Sequence, residues 1–157
     1  SDKIKVVIHP QSIVHSMVEF VDCSIIAQLS KPDMKLPITY ALFWPNRVKS
    51  DFGSLNMEQF IKLTFDKPDF DKFRALKIAF HVAREGGTAP AVFNAANEVA
   101  VNAFLNEFIK FTAITDIIEN TLDNFKVVSK PDLDDILEAD RQAREFAEKK
   151  IGKLACC

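Results

Sequence analysis

Two of the chain's three histidines, His9 and His15, fall within the stretch IHPQSIVHSM, beside Gln11, Ser12 and Ser16. Imidazole and hydroxyl groups so close together can bind zinc, move protons or form an activated nucleophile. On one continuous strand the even separation of His9 and His15 would place both on one face. Pro10 interrupts that strand, however, and no cysteine or third histidine nearby completes a metal-ligand set. No metal site is expected from this chain. Ser12 and Ser16 lie near His15 without a nucleophile elbow or an orienting acid, so no catalytic residue is assigned either. His81, between Phe80 and Val82, has no partner at helical spacing and reads as a structural or surface histidine.

Two further polar clusters stand out. In NAANE, Asn94, Asn97 and Glu98 lie one helical turn apart and share one side of an otherwise apolar helix. Buried amides need partners, so the cluster reads first as a structural network clamping a helical part to a β part, with a ligand contact as the alternative. In SKPDMKLP, Pro32 and Asp33 stiffen a loop after a strand. Met34, adaptable and polarizable, can there cover a flat or apolar ligand, or fill a gap in the core.

The elements that must position these groups follow from pattern. Lys5–Ile8, Ile13–Val21 and Ser24–Leu29 read as strands, the last two joined as a hairpin across Asp22 and Cys23. A short helix is expected from Pro37 to Trp44, and a further strand near Phe60–Phe65. From about residue 70 the apolar period becomes helical. Phe73, Leu76, Phe80 and Ala83 mark one helix, ended by Gly86 and Gly87. Thr88 caps the next, with Phe93, Ala96, Ala100, Phe104 and Phe108 inward. Thr112 caps a third, carrying Ile114, Ile117, Ile118, Leu122 and Phe125. Asp132 and Asp135 open the last, whose apolar face is Leu133, Ile136, Leu137, Ala143, Phe146, Ala147 and Ile151. The fold class is α+β, a partial sheet followed by a C-terminal four-helix bundle. The fourteen phenylalanines are expected to supply the bulk of its core.

Composition narrows the function class. The chain has 157 residues, is 48% hydrophobic and carries a formal net charge of −2, which describes a globular protein without the basic surface that nucleic acid or anionic lipid would require. It contains no apolar run long enough to span a bilayer. Cys23, Cys156 and Cys157 form no disulfide framework, and a cytoplasmic location is expected. GxGxxG, GxxxxGK[ST] and HExxH motifs are absent. The first residue is Ser1, and the chain is read as a piece of a longer protein.

Taken together, IHPQSIVHSMVEFVD, SIIAQLSKPDMKLPITYALFWPNRV and FNAANEVAVNAFL resemble, in that order, the C-terminal part of the 1-deoxy-D-xylulose 5-phosphate reductoisomerase family. The resemblance runs along essentially the whole chain. It implies a bacterial, cytoplasmic enzyme of non-mevalonate isoprenoid biosynthesis, converting 1-deoxy-D-xylulose 5-phosphate to 2-C-methyl-D-erythritol 4-phosphate with NADPH and Mg²⁺ or Mn²⁺. The family's dinucleotide loop, metal ligands and phosphate-holding residues belong to segments that precede residue 1, so the chain alone is expected to be inactive. By the same resemblance, residues 1–68 are the end of the catalytic and dimerisation domain, 69–152 the helical bundle and 153–157 a tail. The rest of the same polypeptide and a second copy in a homodimer are the implied partners.

Residues carried over from the family are His15, Pro32 and Met34, which border its substrate and nicotinamide pocket. Two departures are visible. Cys23 stands where the family hairpin usually has glycine, and Ala113 where an acid usually follows the helix-capping threonine. A stand-alone binding or assembly module derived from this domain is the alternative function.

Overall fold

The computed structural model describes residues 3–56, 58 and 62–155. The chain is α+β, with five helices and a two-stranded antiparallel sheet among the described residues. It divides into two compact units, one formed by Lys5–Pro68 and one by the chain from Asp69 onward, which Lys3 and Ile4 join.

In the first unit, β1 (Val14–Glu19) and β2 (Ile25–Leu29) form the expected hairpin. Its turn is held by Asp22, whose carboxylate accepts the Ser24 N–H at 3.0 Å and the Ser24 hydroxyl at 2.6 Å. Cys23 sits in the left-handed region at φ 67°, where a side chain costs about 1 kcal/mol relative to glycine. Both faces of this ribbon are apolar and open: Met17, Val18, Ile25 and Ile26 are all exposed.

Three expectations fail here. Lys5–Ile8 forms no strand; only Ile8 pairs, exchanging N–H···O bonds of 2.9 Å with Asp66, because Pro10 and the following turn prevent the ladder from continuing. Of the strand expected near Phe60–Phe65, Phe60 and Ile61 lie outside the described residues, and 62–65 form no ladder. Helix α1 spans Lys35–Phe43 rather than 37–44. It starts early because Met34 already has helical dihedrals, and its carbonyl accepts the Ile38 N–H at 3.2 Å.

In the second unit, α2 (Arg74–Glu85), α3 (Ala89–Leu105), α4 (Phe111–Asp123) and α5 (Leu133–Ala155) gather around α3, which packs against the other three. Alanine makes this possible. Ala96 and Ala100 of α3 meet Ile117, Ile118 and Ala147, while Val92 and Ala95 meet Ala143, so small side chains lie where the helix axes approach.

The inward faces agree in part with those expected: Ala96, Ala100, Ile117, Ile118, Ala143 and Ala147 are buried, and Phe93, Ile114, Leu122 and Ile151 pack against the core. On α2, Val82 is buried and Ile78 packs on the core, while Phe73 and Ala83 are exposed. Phe108 lies beyond the end of α3 and is exposed, as are Leu133, Ile136 and Leu137 in the first turns of α5. Phenylalanine is too large for the closely packed centre and occupies its flanks, for example as the edge-to-face pair of Phe125 and Phe146.

Capping also differs. Lys110, not Thr112, precedes α4. Thr88 does precede α3 but makes no side-chain cap, because its hydroxyl is taken by the loop between α4 and α5. Asp132 and Asp135 do cap α5, each accepting the other's backbone N–H, at 2.8 Å to Asp132 and 3.2 Å to Asp135. Helix α5 continues through Ala155, so 153–155 are helical rather than tail; Cys156 and Cys157 lie outside the described residues.

Candidate functional site

A shallow cleft in the first unit, about 340 Å³, is bordered by Gln11, Ser12, Ile13, Ser30, Lys31, Pro32, Ser54, Leu55 and Asn56. Local backbone builds it. Ser12 turns the chain at φ 50°, and its N–H donates to the His9 carbonyl at 3.1 Å. The Ser30 N–H donates to the Ile13 carbonyl at 3.2 Å and anchors the end of β2. Gln11 reaches Thr64, donating to its hydroxyl at 2.8 Å and accepting its N–H at 3.3 Å.

His15 occupies a β-bulge: Val14 pairs with Leu29 and Ser16 with Gln28, leaving His15 as the unpaired residue between them. Its exposed ring places Nδ1 3.5 Å from the Ser30 hydroxyl. Pro32 borders the cleft. Met34 is 71% exposed at the start of α1, and Asp33 fixes that start by accepting the Lys35 N–H at 2.9 Å. All three residues stand in the same unit, but only Pro32 is part of the cleft wall.

The other histidines have separate duties. His9 Nδ1 lies 2.8 Å from the Thr64 carbonyl, so it carries the proton and donates, while the ring stacks on Phe65 with centroids 4.7 Å apart. Its Nε2 is buried without a hydrogen-bond partner among the described residues. His81 is an exposed residue of α2 as expected, but it does have a neighbour at helical spacing: Glu85, four residues on, lies 3.7 Å from its ring. Among the described residues, no three His, Cys, Asp or Glu side chains gather as a metal site.

The NAANE cluster belongs to the second unit, and its geometry departs from a buried clamp to the β part. Asn94 and Glu98 are exposed, and Asn97 is half-buried, with no side-chain hydrogen bond among the described residues. Asn94 donates to Glu98 at 2.9 Å, and Glu98 accepts from Arg144 of α5 at 2.8 Å. Arg144 also donates to Asp140 at 2.7 Å. The network thus ties α3 to α5. Arg144, and then Asn94, hold the Glu98 carboxyl below the usual carboxylate range, while Asp140 and Glu98 raise the Arg144 guanidinium. Sequence reasoning missed Arg144 and Asp140. Their spacing on α5 was a signal, since it is that of an ion pair on one helix face.

Residues 29–146 match the family model described as the DXP reductoisomerase C-terminal domain. The chain belongs to this family. It is 53% identical over 153 residues to the 1-deoxy-D-xylulose 5-phosphate reductoisomerase of Endomicrobium trichonymphae, covering 98% of this chain and 40% of that protein. The Clostridium novyi reductoisomerase is likewise 53% identical, over 96% of this chain and 39% of its own length. A crystal structure of DOX-P reductoisomerase in complex with NADPH, fosmidomycin and magnesium superposes with a TM-score of 0.85 at 44% identity, over 94% of this chain and 38% of that one. The Zymomonas mobilis enzyme in complex with NADPH gives 0.80 at 42% identity, over 92% of this chain and 38% of that one. The chain thus spans about two-fifths of the length of these relatives. Pro32, Met34 and the NAANE residues fall within the family match, whereas His15 precedes it and lies within the alignment to the first relative.

Proposed function

We propose that the chain is the C-terminal portion of a 1-deoxy-D-xylulose 5-phosphate reductoisomerase, which rearranges that sugar phosphate and reduces it with NADPH to 2-C-methyl-D-erythritol 4-phosphate. The observation that carries this reading is 53% identity sustained along 98% of the chain to a reductoisomerase of which it covers only 40%. Lys5–Pro68 is the end of the catalytic domain, and α2–α5 form the C-terminal four-helix bundle. His15, Pro32 and Met34 line the wall of the substrate and nicotinamide pocket, where Met34 packs against a flat ring and His15 offers a hydrogen bond.

The described residues do not fit a divalent-metal site. Mg²⁺ or Mn²⁺ and the NADPH phosphates are therefore assigned to the preceding part of the polypeptide. The two-sided apolar hairpin supports burial against that part and against a second copy in a homodimer. No helix among the described residues is long and apolar enough to cross a membrane.

Translation of the coding sequence upstream of Ser1 tests the reading. In-frame sequence carrying a glycine-rich dinucleotide loop is the expected result; an upstream stop codon with no such sequence would contradict it.

A further inference from the structure

The side chain of Gln28 donates from Nε2 to the Ser30 hydroxyl oxygen at 3.0 Å, and that oxygen lies 3.5 Å from His15 Nδ1. Ser30 is fixed independently by its backbone bond to Ile13, and His15 by the bulge in β1. A hydroxyl has one proton to give and accepts with its lone pairs. Accepting from Gln28 polarises the Ser30 O–H and strengthens its own donation. Nδ1 of His15 is the acceptor within reach.

We infer that Gln28 and Ser30 are positioning residues that hold His15 in one neutral tautomer, with Nδ1 accepting from Ser30 and the proton on Nε2. Nε2 has no partner within the described residues, so its N–H is free to donate to an oxygen of a bound ligand. The inference deepens the proposed function and rests on His15 standing in the substrate pocket. It explains why a bulge is built at His15: the extra residue brings the imidazole to the end of β2, where Ser30 waits. If the Gln28 amide were turned about, its oxygen would claim the Ser30 proton and His15 would have to donate from Nδ1. The direction of the Gln28 bond therefore sets which ring nitrogen faces the ligand as a donor.

Nitrogen-15 NMR of histidine-labelled full polypeptide tests this, at a pH where the imidazole is neutral and with the His15 signals assigned by their loss in His15→Gln. The expected spectrum shows the Nε2–H tautomer alone. Ser30→Ala is expected to release a mixture of both tautomers, and Ser30→Thr, which keeps the hydroxyl, to restore the single form. An Nδ1–H tautomer in the unaltered protein, or a tautomer ratio unmoved by Ser30→Ala, would overturn the inference. Addition of NADPH and 1-deoxy-D-xylulose 5-phosphate separates it from the reading beneath it. His15 signals that ignore both ligands would remove the residue from the pocket while leaving its tautomer as assigned.

Discussion

Thr88 and Val128 hold each other by two hydrogen bonds: the Thr88 N–H donates to the Val128 carbonyl at 3.1 Å, and the Val128 N–H donates to the Thr88 hydroxyl at 3.0 Å. This pair pins the loop between α4 and α5 to the start of α3. Gly87, at φ 58°, lies against the same carbonyl so closely that a Cβ would run into it. Thr88→Val removes the acceptor for the Val128 N–H and should cost roughly 1–2 kcal/mol. Gly87→Ala adds left-handed strain to a backbone collision and should cost more, about 2–4 kcal/mol. Denaturant melts decide the order, and a neutral Gly87→Ala would show that the loop is not pinned as described.

The centre of the helical unit is built from alanine and isoleucine, and this has a measurable consequence. Ile117 is 1% exposed in the α3–α4 contact, so Ile117→Ala should lose about 2–5 kcal/mol. Phe108 is 65% exposed, and Phe108→Ala should change stability by no more than about 0.5 kcal/mol. Comparable losses in the two variants would restore phenylalanine to the core.

The helices were legible in the sequence because their punctuation is chemical. Gly86 and Gly87 end α2, Pro90 enters the first turn of α3, and Asp132 with Asp135 opens α5. Their inward faces were legible where small and branched residues build them, since Ala96, Ala100, Ile117, Ile118, Ala143 and Ala147 are buried as expected; Phe108, Leu133, Ile136 and Leu137 were misread because periodicity does not show where along a helix the packing stops. The hairpin was visible in its turn. Its bulge was not, because a bulge is a mismatch between two strands and neither strand shows it alone. Likewise, nothing local to NAANE announces Arg144, which lies 46 residues from Glu98. Met34 stood out by its place on the loop of Pro32 and Asp33 and the family resemblance gave it a pocket, whereas the polarity of Gln28 and Ser30 became meaningful only once their distances were known.

The Glu98–Arg144 contact predicts a direction of pH dependence. The folded carboxyl titrates below its usual value of 4.5, so its contribution is fully present above that value and is lost as pH falls through the lower folded one. Acid titration of stability should therefore be steeper in the native chain than in Glu98→Gln. The two curves should run parallel from neutral pH down to the ordinary carboxylate range. Asn94→Ala should lift the Glu98 titration toward its usual value, since Asn94 is the second donor to that carboxylate. Identical acid limbs in the native chain and Glu98→Gln would mean that the pair is not formed in solution.

In the full polypeptide, His15→Ala and Met34→Ala should weaken binding of NADPH or sugar phosphate and lower turnover, while metal affinity stays unchanged. Loss of one bound hydrogen-bond donor or one apolar contact corresponds to about 1–2 kcal/mol, or roughly 5- to 30-fold in kcat/KM. Steady-state kinetics with metal titration checks both parts. Unaltered kinetics in both variants would return these residues to ordinary packing, and loss of metal binding in His15→Ala would make the imidazole a ligand.

The central claim is that this chain completes a reductoisomerase, and the most direct measurement is NADPH oxidation by a hybrid enzyme. The preceding part of the Endomicrobium trichonymphae protein, joined to this chain at the aligned boundary, supplies the length that the alignment leaves uncovered. The hybrid should oxidise NADPH only when both 1-deoxy-D-xylulose 5-phosphate and Mg²⁺ or Mn²⁺ are present, and the chain by itself should oxidise none. A hybrid that folds and binds NADPH yet shows no substrate-dependent oxidation would contradict the claim.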